Sequence, residues 1–137
     1  MLASATVAPA QEGRPVGLVK TASGEASVQR EGRHLAALPG LALMQGDLLT
    51  TGAGAALGVI LRDDTVLSLG PSTQTRIEQF AFDPAQGHLG MVLRVTRGLL
   101  EYLSGKISKL SPGAVRIETP VATLGIRGTH LLARIEP

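Results

Sequence analysis

From Val16 onward the apolar residues recur at every second position, and glycine and proline cut the runs into short pieces. Leu57, Val59 and Leu61 alternate with Gly58, Ile60 and Arg62, and Leu67 and Leu69 continue the same phase. Further runs follow at Thr75, Ile77 and Gln79, at Met91, Leu93 and Val95, at Leu99, Glu101 and Leu103, and at Val115 and Ile117. A period of two marks half-buried strands. No window holds a 3.6-residue stripe over three turns, and the best helical stretch, Leu35–Gln45, is broken by Pro39-Gly40. These features predict an all-β single domain of short strands.

One hairpin can be placed in register. Leu57, Val59, Leu61, Leu67 and Leu69 stay in phase only across a loop of odd length. Arg62-Asp63-Asp64 is such a loop, pairing Leu61 with Thr65, Val59 with Leu67 and Leu57 with Leu69. The last residue of a three-residue hairpin loop adopts the left-handed region, so Asp64 is expected at positive φ.

An internal echo relates Gly17–Glu25 to Gly98–Lys106 with equal Gly-to-Gly spacing, and Ala55–Val59 to Ala122–Ile126. Two copies of one β unit would bury their apolar faces against each other, as a two-sheet sandwich or a flattened β-helix-like stack with an internal pseudo-repeat.

Composition narrows the function classes. The 137 residues suit one domain, and aromatics make up only 2%, namely Phe80, Phe82 and Tyr102, so the core is aliphatic. Net charge is +2 and the basic residues nowhere cluster, which argues against a nucleic-acid partner. No apolar run reaches the ~20 residues of a membrane span. Cysteine is absent, which removes disulfides and thiolate chemistry. Residues 1–14 read as a flexible lead-in before a β domain over 15–135. Val7-Ala8-Pro9-Ala10 has the texture of a signal-cleavage site without a basic start or a full apolar stretch before it, so the lead-in is either a trimmed signal segment or an ordinary disordered start.

The chemistry-bearing residues are sparse. His34, His88 and His130 lie far apart without metal-ligand spacing, and no metal or cofactor is expected. Asp63-Asp64 could bind a cation in another setting, but at a hairpin tip it reads as turn chemistry, as does Asp83-Pro84. No nucleophile elbow or phosphate-binding glycine loop is present, so the chain reads as non-enzymatic. The most distinctive segment is Glu118–Thr129. Pro120 demands an edge, bulge or turn, and Gly125 and Gly128 flank Arg127 at a spacing that suits close backbone approach. Arg127 either ties strands together, through Asp47 or Glu118, or anchors a partner.

This segment, Thr119-Pro120-Val121-Ala122-Thr123-Leu124-Gly125-Ile126-Arg127-Gly128-Thr129, is similar to the closing signature of the FecR-type domain family. The resemblance runs over most of residues 16–133. It includes the opening Gly17-Leu18-Val19, the Ser23-Gly24 turn, the stretch Gly46-Asp47-Leu48-Leu49-Thr50-Thr51-Gly52, and the strand–turn–strand Asp63-Asp64-Thr65-Val66-Leu67-Ser68-Leu69 with Pro71-Ser72-Thr73 after it. It departs at Asp64, where the family usually has glycine. The resemblance implies a non-catalytic, all-β module of the bacterial envelope, periplasmic or extracellular, whose founding members pass a signal from an outer-membrane transporter through a membrane helix to a sigma-factor-binding segment. This chain shows neither of the last two, so the anti-sigma activity is not carried over. What remains is a protein-interaction module, with cell-wall glycan binding or homo-oligomer formation as alternatives. The motif residues Gly46, Asp47, Thr51, Asp63, Asp64, Thr119, Pro120, Ala122, Gly125, Arg127, Gly128 and Thr129 are then structural or partner-facing.

Overall fold

The computed structural model describes residues 14–126 and 130–136. The described residues form twelve strands, β1 (Gly17–Ser23), β2 (Ala26–Arg30), β3 (Arg33–Ala36), β4 (Ala42–Leu43), β5 (Leu48–Thr51), β6 (Ala56–Leu61), β7 (Val66–Leu69), β8 (Gln74–Asp83), β9 (His88–Leu103), β10 (Val115–Glu118), β11 (Thr123–Gly125) and β12 (His130–Ile135). A 3₁₀ turn, Pro84–Gln86, joins β8 to β9, and one short helix, α1 (Lys106–Leu110), precedes β10. Strands hold 59% of the described residues, which makes the fold all-β.

All twelve connect through hydrogen-bonded neighbours into one curled sheet: nine follow the order β3-β2-β5-β8-β9-β7-β6-β1-β4, while β10 and β12 branch from β9 and β11 pairs with β10. Among the described residues only the β9–β10 pair is parallel. The alternation in sequence leaves open how the strands close, and β9 decides it. Its first half pairs with β8 and β10, and its second half pairs with β7 and β12. The two wings of the sheet therefore share one long strand. The switch between them lies at a bulge, where Gln74 faces Arg97 and Thr75 faces Val95, leaving Thr96 as the extra residue. Gly98 follows at φ +100°, and a Cβ there would strike the Cβ of Thr73 at 2.6 Å.

The bulge changes which residues face inward. Before it, Met91, Leu93 and Val95 are buried, as the alternation predicts; after it, Leu100 and Tyr102 are buried. Leu99, Glu101 and Leu103 turn outward, so the odd-numbered phase does not run through β9. In β6 and β7 the phase holds: Leu57, Val59, Leu61, Leu67 and Leu69 all enter the core. The hairpin register is the expected one, with Leu57 opposite Leu69, Val59 opposite Leu67, and the Leu61 N–H donating to the Thr65 carbonyl at 2.8 Å. Asp64 sits at φ 73°.

The echo in sequence is not a repeat in structure. Ala56–Val59 lies in β6 between β1 and β7, whereas Thr123–Gly125 forms β11, whose partner is β10. Likewise β1 pairs with β4 and β6, while Gly98–Leu103 pairs with β7 and β12. Glycine and alternating aliphatic residues recur because both segments are strands, without sharing neighbours. Leu35–Gln45 is not helical; it holds the end of β3 and all of β4.

Candidate interaction surface

Three buried polar groups among the motif residues hold turns in place. Asp47, 1% exposed, receives a two-pronged bond from Arg30, Nε to Oδ1 at 2.9 Å and Nη2 to Oδ2 at 2.7 Å, and a third from the Met44 N–H at 2.8 Å. Such charge-assisted pairs are the strong kind, and the Asp47 hydrogen bond is the main reason the Arg30 pKa is raised further. Arg30 also donates to the Ala42 carbonyl at 2.9 Å, drawing β4 toward β2. Gly46, at φ +92°, makes the turn that places Asp47 there. Thr51 donates to the Gly70 carbonyl at 2.6 Å and accepts from the Thr73 N–H at 2.9 Å, while the Thr73 hydroxyl accepts the Leu99 N–H at 2.9 Å.

Asp63 is the third. Turn chemistry is present, because its Oδ1 accepts the Thr65 N–H two residues on at 3.1 Å. Yet the side chain is fully buried, and Oδ2 accepts both the Thr65 hydroxyl at 2.9 Å and the Ile107 N–H at 3.0 Å. The Asp63 carbonyl accepts the Lys106 N–H at 2.7 Å. The expectation of a plain hairpin-tip aspartate is thus corrected: Asp63 caps α1 from across the chain. Gly105 permits this, since a Cβ there would meet the Asp64 carbonyl carbon at 2.8 Å. Asp64 stays in solvent with Lys106 at 3.2 Å.

The closing signature is placed differently. Thr119, Pro120, Val121 and Ala122 form the turn between β10 and β11. The Thr119 N–H donates to the Ala122 carbonyl at 2.8 Å, and the Thr119 hydroxyl accepts the Ala122 N–H at 3.1 Å. Every residue from Val121 to Gly125 is exposed, and Val121 stands 92% exposed. Among the described residues, a Cβ on Gly125 would meet nothing within 4 Å. Ladder geometry fixes the free side of β11. The Thr119–Ala122 and Val115–Ile126 bonds put Leu124 in a bonded pair with Ile117, so the backbone groups of Thr123 and Gly125 point away from β10. Among the described residues, β11 has no second strand partner. Arg127, Gly128 and Thr129 lie outside the described residues. Of the two carboxylates considered for Arg127, Asp47 is held by Arg30 and Glu118 by Arg94 at 3.0 Å.

The histidines do not converge. His34 meets the Gln29 amide at 3.0 Å, His130 meets Glu101 at 2.8 Å, and His88 borders a groove beside the β8–β9 turn. Register also reveals an apolar row on the outer face of one wing, which the sequence does not disclose because its members come from four strands. Leu18 faces Ile60, Ile60 faces Val66, and Val66 faces Leu103, with Leu18 and Leu103 exposed. No described helix is long and apolar enough to cross a membrane.

The architecture is that of an all-β module whose signature residues brace turns and present one exposed hairpin. The family model described as FecR protein matches residues 47–137, well over half the chain, and the chain belongs to that family. The match begins at Asp47, so β1 to β4, with Gly17-Leu18-Val19 and Ser23-Gly24, lie ahead of it. No curated protein and no solved structure matches the chain. The family is associated with cell-surface signalling.

Proposed function

We propose that the chain is a non-catalytic protein-interaction module of the bacterial envelope, periplasmic or secreted, acting in cell-surface signalling. Docking runs through the β10–β11 hairpin, with a strand of the partner adding to the outer edge of β11. The observation that carries this reading is the combination of a bare valine at the turn tip and backbone groups at Thr123 and Gly125 that face away from β10 and meet no strand among the described residues. Backbone hydrogen bonds would supply affinity, and Val121 and Leu124 would supply side-chain specificity. A protein partner fits better than a cell-wall glycan. Sugars favour open aromatic faces, whereas Tyr102 and Phe80 are buried and the guanidinium of Arg62 covers the Phe80 ring at 5.3 Å from its centroid.

A photo-reactive residue at position 121, with a second at exposed Leu38 as the control, tests the reading in native envelope preparations. The expected result is a protein adduct of defined mass from position 121 that is absent from position 38. Adducts with glycan alone would favour the glycan reading.

The apolar row Leu18–Ile60–Val66–Leu103 supports a second reading, in which copies of the chain associate through that face. Light scattering would then give a multiple of 14.2 kDa that Leu103→Glu returns to the single-chain mass.

A further inference from the structure

We propose that the groove between the β4–β5 turn and the β8–β9 turn is a second docking site, for an extended acidic peptide segment of a protein partner, with carboxylates received by Arg62 and Arg76. This goes beyond the hairpin reading and concerns a different surface. The groove encloses about 1220 Å³. Clefts for drug-sized molecules run to roughly 1,000 Å³, so this one suits a run of several residues better than a small ligand.

Arg62 is built for an incoming anion. Its Nε donates to the Pro15 carbonyl at 3.2 Å and its Nη1 to the Phe82 carbonyl at 3.1 Å, while its face lies on Phe80. Among the described residues no carboxylate forms an ion pair with it. Burial, and then the like charge of Arg14, lower its pKa, against smaller opposing contributions from Asp83 and Asp63. Arg76 is likewise anchored on a backbone carbonyl, with one long ion pair besides. Its Nη1 donates to the Gly46 carbonyl at 2.7 Å, and Glu78, 4.0 Å away, sits closer to Arg94 at 3.3 Å. Both guanidinium groups are held by backbone carbonyls, so little freedom remains to be lost when a ligand binds. Each keeps N–H groups free to meet a carboxylate. Arg30, in the same groove, is already committed to Asp47.

Glu31 and Asp83 also line the groove, and they select the kind of anion. A nucleic-acid duplex carries a charge every ~1.7 Å and would press phosphates against both carboxylates. An extended peptide rises ~3.3 Å per residue with side chains alternating, so it can space its carboxylates ~7 Å apart and set neutral or basic residues opposite Glu31 and Asp83.

The test is fluorescence anisotropy of a labelled peptide of about five Glu-Gly repeats titrated with the full chain, with the Gln-Gly peptide as reference. Binding of the Glu-Gly peptide is expected to be about tenfold tighter than that of the reference and to weaken with salt. Arg62→Gln and Arg76→Gln should each weaken it about fivefold, and Val121→Asp should leave it unchanged. Because Arg62 also braces Pro15 and Phe82, the more exposed Arg76→Gln carries the test if Arg62→Gln melts early. Equal binding of the two peptides, undiminished binding by folded Arg76→Gln, equal binding of duplex DNA, or loss on Val121→Asp would each overturn the proposal. Loss on Val121→Asp would leave the hairpin reading standing, and a missing adduct at position 121 would leave this one standing.

Discussion

At the residue scale, two neighbouring aspartates do unrelated work. Asp64 is a left-handed residue with a side chain in water. Its ion pair with Lys106 lies at the surface, where such pairs contribute little. Asp64→Gly should therefore raise stability by about 0.5 kcal/mol in urea unfolding, relief of the left-handed strain exceeding glycine's extra chain entropy. Loss of stability would contradict the assigned turn. Tyr102, the single tyrosine in a chain without tryptophan, offers a direct probe of the core. Burial pushes its phenol up to about 12, Ser108 works against that shift, and Asp63 adds the smallest contribution to it. Among the described residues no hydrogen bond of ordinary geometry reaches its hydroxyl. The folded state thus keeps a proton that the unfolded chain loses near 10.0, so stability is intact below that pH and falls as pH rises through about 12. Phenolate absorbance should show a single transition near the upper value while the protein is folded. Tyr102→Phe should flatten the alkaline loss and cost nothing at neutral pH, because it removes an unpartnered buried hydroxyl. Ionisation at the ordinary tyrosine value would place Tyr102 in solvent.

At the scale of elements, what could be read in advance depended on how local the cause was. The β6–β7 hairpin was legible in full because alternation and odd loop length act within fifteen or so residues. Helix α1 was not, since five residues cannot pay for their own nucleation. It exists because Ile107 is buried and Asp63, far off in sequence, accepts its N–H. The same holds for Asp47, which is bound by Arg30, seventeen residues away. Asp63→Asn turns an amide toward groups that all donate, so unfolding should cost about 2–3 kcal/mol less. Amide exchange should quicken first at Ile107 and Lys106. Unchanged protection there would show that α1 stands without the cap.

At the scale of the molecule, the alternation predicts the class and the bulge at Thr96 sets the architecture, by reversing the inward phase of β9 and joining two wings through one strand. No period could announce that reversal, although Gly98 beside a run of threonine and arginine marks the place. The signature residues split into buried braces at Asp47, Thr51 and Asp63 and a hairpin exposed from Pro120 to Gly125. The central claim is that the hairpin, and not the braces, meets the partner. Photo-crosslinking from position 121 in native envelope, compared with position 38, tests it most directly. A defined protein adduct confined to position 121 is the predicted result, and no protein adduct there, or the same adducts from both positions, would contradict it.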